Sequence, residues 1–391
     1  MKYPSTILTV GCAAGTQKPK LQFPHRRSRL LKRLDFTSIG TLVLALVAIP
    51  GYGQSVQERT PGSGLLSRNA IALNPATGKV YAVESSKGAV AVIDGKTGSV
   101  SSVKVGAGPI ALTINSATNR IYVANHDGGT VSVLDGKTDR VLATLNVGSL
   151  PYSLAANSAT NKIYVSNVYS SVDSIIDGAT NTIATMKAGS ADAIVVDTDR
   201  NDTYLLGYES GVLTMLHGDS ISSLFMGKMH IWGMALDSAA GALYVTRIGN
   251  GDLVDLDVRS HKMTTIAAGS MPCAVAVNSK TKMIYVVNYA DETVSVIDAR
   301  THQPVSTVPV GHHPQAIAVD DTTDLIYVAN TLDNDLTVID GASNKVAATL
   351  KAGTNPYAIA VDASAGAVYV ADQGDPSFTK VDIRQSRKTG P

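Results

Sequence analysis

From residue 69 onward, short apolar runs alternate with short polar segments, and no stretch has the periodicity of an α-helix. Each run spans four to six residues and is rich in Val, Ile and Tyr. The segments between the runs consist of Asn, Asp, Gly, Thr and Pro, which are the residue types that form turns. The pattern is typical of β-strands joined by tight turns and predicts an all-β fold.

The apolar runs form a repeat, which is marked by a tyrosine in the second run of each unit. Successive tyrosines are 40 to 42 residues apart, and each unit contains four runs. Four antiparallel strands per unit of this length predict the blades of a β-propeller. The tyrosines are predicted to pack between blades, with each hydroxyl finding a hydrogen-bond partner. They are Tyr81, Tyr122, Tyr164, Tyr204, Tyr244, Tyr285, Tyr327 and Tyr369.

The number of strands predicts eight blades, with seven as the alternative if one weak unit forms no blade. Eight first, second and third strands can be counted, but only seven fourth strands, because the last apolar run is Val381-Asp382-Ile383. The segment Gln54–Arg68 is long enough to supply the missing strand, which would close the ring and remove an exposed edge. Residues 54–391 are therefore predicted to form one propeller domain.

The first 53 residues have the order of a secretory signal. A basic run, His25–Arg33, precedes the uncharged apolar stretch Phe36–Pro50, and small residues follow it. The apolar stretch is short for a membrane span, which needs about 20 residues. We expect cleavage near Gly53–Gln54 and an exported protein, in the periplasm or at the cell surface, without a membrane span after cleavage. An uncleaved anchor is the alternative.

Charge and cysteine content narrow the function classes once this segment is set aside. The whole chain has 33 basic and 32 acidic residues, and residues 1–53 hold eight of the former and one of the latter. The remainder has 25 basic and 31 acidic residues, a net charge of −6. An acidic body disfavours non-specific nucleic-acid binding. Of the two cysteines only Cys273 lies in the body, so the processed chain has no intrachain disulfide.

The repeat resembles that of the YVTN β-propeller family. Ile-Tyr-Val-x-Asn, Val-x-Val-Ile-Asp-Gly and Val-Gly-x-x-Pro-x-Ala-Ile-Ala-Val recur over about residues 69–383. The resemblance implies an exported bacterial or archaeal surface-layer protein. Relatives include an exported single-stranded-DNA binder and the propeller domain of haem nitrite reductase, so the family implies a fold and a compartment but no one chemistry. The fourth unit departs from the pattern at Thr203–Gly207 and at Leu216-His217-Gly218.

Function is expected where the repeats differ. In a propeller, the loops from a fourth strand to the next first strand share the tunnel mouth with the loops between second and third strands. The other two sets of loops hold uniform turns of Asp, Asn and Gly. The face that they form is therefore predicted to have a structural role. Two ring positions at the mouth vary. The residue before the proline, or its equivalent, is Ser67, Gly108, Leu150, Ser190, His230, Met271, His313 or Asn355, and the residue after it is Asn69, Ile110, Tyr152, Asp192, Trp232, Cys273, Gln315 or Tyr357.

His230, Met271 and His313 occupy the first position on three successive blades, and Cys273 is close by. These residues predict a copper site, because two imidazoles, a thioether and a thiol form a soft donor set. The candidate ligands are His230, Met271, Cys273 and His313, with His312 nearby. The alternative is a polar rim in which Met271 packs and Cys273 is a small buried hydrophobe.

Three further hypotheses concern the same face. Tyr152, Trp232, Gln315 and Tyr357 are candidates for binding a sugar, base or peptide, or the aromatic rings cap the tunnel. Asp192 with His230 is a weak candidate acid–base pair. The acidic loops offer oxygen ligands to Ca²⁺, or need those residues only to turn; their acids are Asp127, Asp291, Glu292, Asp333, Asp335, Asp372 and Asp375.

Three functions therefore remain open. The favoured one is a binding scaffold for an envelope protein, a glycan or a small ligand. The alternatives are a metal-dependent hydrolase or lyase, lactonase-like, or a copper-binding protein, on the same face, and a surface-layer or envelope structural module.

Overall fold

The computed structural model describes residues 69–168, 170, 172–187, 191–208, 210–218, 220–227, 231–374 and 378–383, without the side chain of residue 231. The predicted signal and the predicted closing segment Gln54–Arg68 lie outside these residues and stay predictions. Within the described ranges, no helix has the length and apolar character needed to cross a membrane.

Eight antiparallel sheets follow one another along the chain, and each forms one blade. Blade 1 consists of β1 (Ile71–Asn74), β2 (Lys79–Glu84), β3 (Ala89–Asp94) and β4 (Val100–Lys104), and blade 2 of β5 (Pro109–Asn115), β6 (Arg120–Asn125), β7 (Thr130–Asp135) and β8 (Val141–Asn146). Blade 3 consists of β9 (Pro151–Asn157), β10 (Lys162–Asn167), β11 (Asp173–Asp177) and β12 (Ile183–Met186), and blade 4 of β13 (Ala193–Asp197), β14 (Asp202–Leu206), β15 (Val212–His217) and β16 (Ser220–Phe225). Blade 5 consists of β17 (Ile231–Asp237), β18 (Ala242–Arg247), β19 (Asp252–Asp257) and β20 (Met263–Ala267), and blade 6 of β21 (Pro272–Asn278), β22 (Met283–Asn288), β23 (Thr293–Asp298) and β24 (Gln303–Pro309). Blade 7 consists of β25 (Pro314–Asp320), β26 (Leu325–Asn330), β27 (Asp335–Asp340) and β28 (Lys345–Lys351), and blade 8 of β29 (Pro356–Asp362), β30 (Ala367–Asp372) and β31 (Phe378–Asp382). Two single-turn 3-10 helices, Ser85–Lys87 and Ile248–Asn250, join second to third strands.

The blades close into a ring around an axis lined by their first strands. Each first strand contacts the first strand of the next blade, and β29 contacts β1. The prediction of an eight-bladed all-β propeller is thereby confirmed, and the seven-bladed alternative is wrong. Blade 8 has three strands among the described residues, ending at β31, as the strand tally predicts.

The repeated tyrosines are buried between the blades. All eight are at most 5% exposed, and they belong to apolar clusters that join residues of neighbouring sheets. The Tyr81 hydroxyl donates to Asp139 Oδ1 of the next blade at 2.7 Å. The hydroxyls of Tyr285 and Tyr369, however, have no hydrogen-bond partner among the described residues. The expectation that every hydroxyl is paired was therefore wrong, and ring packing alone is enough to keep these tyrosines buried.

The asparagine and the glycine of the repeat motif form one packing unit. Asn125 Nδ2 donates to the hydroxyls of Thr130 and Ser132, and its Oδ1 accepts the N–H of Gly106. A Cβ on Gly106 would lie 2.6 Å from Asn125 Cγ, so a larger residue does not fit there. The same pairing recurs as Gly269 with Asn288 and as Gly311 with Asn330.

We call the two ends of the ring the upper and the lower face. The upper face holds the loops between second and third strands and the loops that lead to the next first strand. These loops bond to one another, as in the His126 N–H to Gly108 oxygen contact. The lower face holds the other two sets of turns, which also bond to one another, as in the Gly136 N–H to Asn119 oxygen contact.

Candidate functional site

The residue before each first-strand proline has a left-handed backbone. We call this place the pre-proline position. Its φ is 60° at Gly108 but also 53° at Leu150, 54° at Met271, 52° at His313 and 52° at Asn355. A non-glycine residue pays about 1–2 kcal/mol for this conformation, and least if it is Asn. Leucine, methionine and histidine are therefore costly choices at a turn that glycine would suit. The three other members, Ser67, Ser190 and His230, lie outside the described residues.

The position after the proline holds side chains with very different exposure. Trp232 is 49% exposed, and its ring packs edge to face on Tyr208 with centroids 5.6 Å apart. Tyr357 is 8% exposed and belongs to the apolar cluster between blades 8 and 1. Tyr152 and Gln315 are partly buried, and Tyr152 packs against the cluster between blades 2 and 3. Of the three predicted aromatic contacts, Trp232 is the one that offers about half of its surface to a ligand.

Three of the four predicted copper ligands lie near Tyr289, His313 through its side chain and Met271 through its backbone oxygen. The Tyr289 hydroxyl bonds to His313 Nδ1 at 2.9 Å, and the two rings lie 4.7 Å apart. The Tyr289 N–H donates to the Met271 oxygen at 3.0 Å. Cys273 is buried, and its Sγ donates to the Pro314 oxygen at 3.4 Å. Burial, and then the charge that Cys273 carries when it is ionised, raise the pKa of Tyr289. The fourth ligand, His230, lies outside the described residues.

His312 lies beside this cluster and is bound by carboxylates. Its Nδ1 is 2.9 Å from Asp333 Oδ1, and its Nε2 is 3.8 Å from Glu292 Oε2. The hydrogen bond that the His312 ring donates to Asp333, and then the attraction of Asp333 and Glu292, raise the pKa of His312. The carboxylates thus stabilise the imidazolium form at this exposed point of the rim.

Asp192 lies near a second carboxylate. Its Oδ2 accepts the Tyr208 N–H at 2.7 Å. Burial first, and then the charge of Asp192, raise the pKa of Asp173 to about 6, against the hydrogen bond from Asn167. The predicted pairing of Asp192 with His230 lies partly outside the described residues and stays a prediction.

The acidic loops use their carboxylates to hold the loops together. Asp291 accepts the Ser270 N–H, and Asp333 accepts the His312 N–H, each at 2.7 Å. Asp335 accepts from the side chain of Asn330. Among the residues that the structure describes, no three His, Cys, Asp or Glu side chains are grouped so as to hold a metal ion. Asp375 lies outside the described residues.

Three residues of this face escaped sequence reasoning: Tyr289, Tyr208 and Asp173. Asp173 had a detectable signal, because by the register of the sheets it stands where blades 2 and 6 have the buried Val131 and Val294. The two tyrosines lie in loops of unlike sequence, and no spacing rule connects them to their ring partners.

Comparisons with known proteins support the fold alone. No family model and no curated protein matches the chain. Among solved structures the chain is similar to dihydro-heme d1 dehydrogenase NirN in complex with DHE, with a TM-score of 0.69 at 13% identity over 83% of this chain and 73% of that one. It is similar to Sqt1 of Saccharomyces cerevisiae, with a TM-score of 0.68 at 9% identity over 80% and 94% of the two chains. It is also similar to Kuenenia stuttgartiensis hydrazine synthase, with a TM-score of 0.56 at 14% identity over 84% and 99%.

Proposed function

We propose that the chain is an exported propeller of the YVTN type that serves as a binding scaffold, with its partner surface on the upper face. The observation that carries this proposal is the pre-proline position. Leu150, Met271 and His313 hold a left-handed backbone there at an energetic cost, and strain of this kind concentrates at functional sites. The signal-like order of residues 1–53 supports export.

The partner is an envelope protein, a glycan or a small ligand, and Trp232 is the expected anchor. Eleven large apolar side chains are exposed among the described residues, nine of them on fourth strands at the outer rim. The two others, Trp232 and Leu332, are on the upper face. A half-exposed tryptophan braced by Tyr208 suits stacking on a sugar ring or an apolar side chain.

Binding is tested with the full chain on an array of envelope glycans and by cross-linking in an envelope fraction. We expect Trp232→Ala to lose the captured partner. The matched control is Phe225→Ala, which removes an aromatic ring that is 53% exposed on the outer strand β16. Equal loss in both variants, or none in Trp232→Ala, would contradict the proposal.

Export is tested separately by expressing the full chain and sequencing the N-terminus of the periplasmic form. We expect a mature protein that begins at or near Gln54. Recovery of the chain only in the cytoplasm would refute the assignment of residues 1–53 as a signal.

The cluster around Tyr289 favours a second candidate, a soft-metal site for copper, from which the enzymatic alternative would follow. His313 keeps Nε2 for a ligand because Tyr289 engages Nδ1. The metal content of the full chain is compared with that of His313→Ala and of a control, His217→Ala, on the lower face. Copper lost only in His313→Ala supports this candidate, and no bound metal refutes it.

A further inference from the structure

A cleft of about 470 Å³ opens on the lower face at the seam between blades 5 and 6. Turn residues of both blades and the sheet of blade 5 form its walls. The lining residues used below are Ala242, Tyr244 and Asp255 of blade 5, and Lys282, Arg300 and His302 of blade 6.

At two other seams a cationic side chain of the protein itself fills the corresponding place. Lys79 is the first residue of β2, and its ammonium is 2.6 Å from Asp139 Oδ2 of blade 2. Arg120 is the first residue of β6, and its Nη1 donates to the Gly178 oxygen of blade 3 at 2.7 Å. The seam thus has room for a cationic nitrogen group with acceptors from the next blade.

In blade 5 this cation is absent. The strand β18 begins with Ala242, whose methyl group cannot reach across the seam. The Tyr244 ring is 1% exposed and lines the cleft, and its hydroxyl has no hydrogen bond to any described residue. The equivalent hydroxyl, Tyr81, donates to Asp139 of the next blade.

The same blade gains an anion. Asp255 lies opposite Tyr244 in the sheet register. Six other blades place an apolar residue opposite their tyrosine, namely Val92, Val133, Ile175, Met215, Val296 and Val338. The Asp255 side chain is 13% exposed, and its Oδ2 is 2.8 Å from His302 Nε2. Burial raises the pKa of Asp255, against the hydrogen bond and the charge of His302. A carboxylate that replaces a core valine is costly unless something compensates it.

Two turn residues at the cleft also break the rule of the lower face. Its left-handed turn residues are Gly, Asn or Asp, with the exceptions of Lys282 (φ 61°), His302 (φ 60°) and His261 (φ 57°) among those described. The first two line the cleft. Lys and His are strained in this backbone conformation, which Asn would adopt at a lower cost, and such strain concentrates at functional sites.

The other charges of the cleft are already engaged. Lys282 is 3.2 Å from Asp237, and Arg300 is 2.7 Å from Asp298. Asp257 accepts the N–H groups of Arg259 and Ser260. Lys262 is exposed at the rim. The second oxygen of Asp255 and the hydroxyl of Tyr244 stay available inside the cleft, and the second oxygen of Asp257 stays available at its exposed rim.

We infer that this cleft binds a primary ammonium or guanidinium group, in the place that the head groups of Lys79 and Arg120 fill at the seams between blades 1 and 2 and between blades 2 and 3. The ligand donates N–H to Asp255 and to the Tyr244 oxygen, while His302 donates its Nε2–H to the other oxygen of Asp255. The cleft lies on the face opposite the proposed partner surface, so a failure of one proposal leaves the other unaffected.

The full chain is titrated calorimetrically at pH 8 with n-butylammonium and with methylguanidinium. Tetramethylammonium, which has the charge but no N–H, is the control ligand. We expect saturable binding of the first two and none of the third. Asp255→Val should weaken binding by about tenfold to a hundredfold. Ala242→Lys should abolish it by filling the cleft from within. Both variants introduce the residue that other blades carry, so they should fold.

Absence of saturable binding, or unchanged affinity in Asp255→Val, would overturn the inference. A capped lysine or arginine peptide distinguishes two sources of the cation. Affinity at least tenfold above that of the free amine points to a partner's side chain, and equal affinity points to a small free amine.

A reciprocal experiment uses the seam between blades 1 and 2. Lys79→Ala vacates the place that Ala242 leaves open in blade 5. We expect n-butylammonium to restore part of the melting temperature lost in Lys79→Ala, and tetramethylammonium to restore none. No recovery of the melting temperature with n-butylammonium would contradict the equivalence of the two seams.

Discussion

The two faces of the ring connect antiparallel strands in different ways. On the lower face an acidic residue closes its own turn, as Asp135 Oδ1 does by accepting the N–H groups of Lys137 and Thr138. These bonds, with that of Thr138 first, hold the pKa of Asp135 below its usual range. On the upper face the acid of one loop binds the backbone of another, as Asp333 does with His312. Each turn of the lower face therefore requires particular residue types. In the upper loops, contacts between loops hold the backbone in place, and the neighbouring side chains can vary.

The strongest test of this contrast substitutes a glycine on each face. A Cβ on Gly311 of the upper face would lie 2.6 Å from Asp333 Oδ2 and 2.7 Å from Asn330 Cγ. We expect Gly311→Ala to lose about 2–3 kcal/mol of unfolding free energy through this overpacking. Gly98→Ala, on the lower face, meets no atom within 4 Å but has a φ of 74°. It should lose about 1 kcal/mol, from backbone strain alone. Denaturant unfolding measures both, and equal losses would remove the contrast.

A second test restores the asparagine of the repeat on the upper face. Asp372 stands where blade 7 has Asn330, and burial raises its pKa to about 6, against the Thr379 and Gly353 hydrogen bonds. The folded state therefore holds this proton more tightly than the unfolded chain, and stability falls as pH rises from about 4 to about 6. We expect Asp372→Asn to be more stable by about 1–3 kcal/mol at pH 7.5 and nearly unchanged at pH 4.

Thermal or denaturant unfolding at the two pH values checks this sign. A destabilised Asp372→Asn at pH 7.5 would show that the charged form is well accommodated in the fold.

A third test compares two tyrosines on the lower side of the seams. Tyr81→Phe removes the hydrogen bond to Asp139, and about 1 kcal/mol should be lost. Tyr285→Phe removes a buried hydroxyl that has no hydrogen-bond partner among the described residues, so stability should stay within about 0.5 kcal/mol or rise. Equal costs would mean that the Tyr81 hydrogen bond contributes nothing to its seam.

The smallest stability effect is expected on the upper rim. Trp232→Ala removes a half-exposed ring, and the free energy of unfolding should change by no more than about 0.5 kcal/mol. The same variant is expected to lose partner binding. A large loss of stability would instead assign Trp232 to the packing of blade 5 and weaken its role as an anchor.

Sequence alone predicts the ring well because its information is periodic. The eight tyrosines, the missing fourth strand and the difference between the faces are all visible in the repeat. Side-chain direction is not periodic: Trp232 and Tyr357 share one ring position, yet one is half exposed and the other is buried. The cleft was also hidden, because Asp255 and His302 belong to different units and each is an ordinary polar residue alone. Only the seam between their blades shows that they meet.

The seam between blade 8 and blade 1 has a consequence for the order of folding. There the Lys380 ammonium donates to the Gly95 oxygen across 285 residues of chain. Other neighbouring blades are joined by short loops, so they can be added one after another at a small entropic cost. The contact between the first and last blades forms only when residues from the two ends of the propeller meet. This ring closure is therefore expected to be the slow step of folding. A circular permutant with new ends between blades 4 and 5 would shift that slow step to the opposite side of the ring and leave the native fold unchanged.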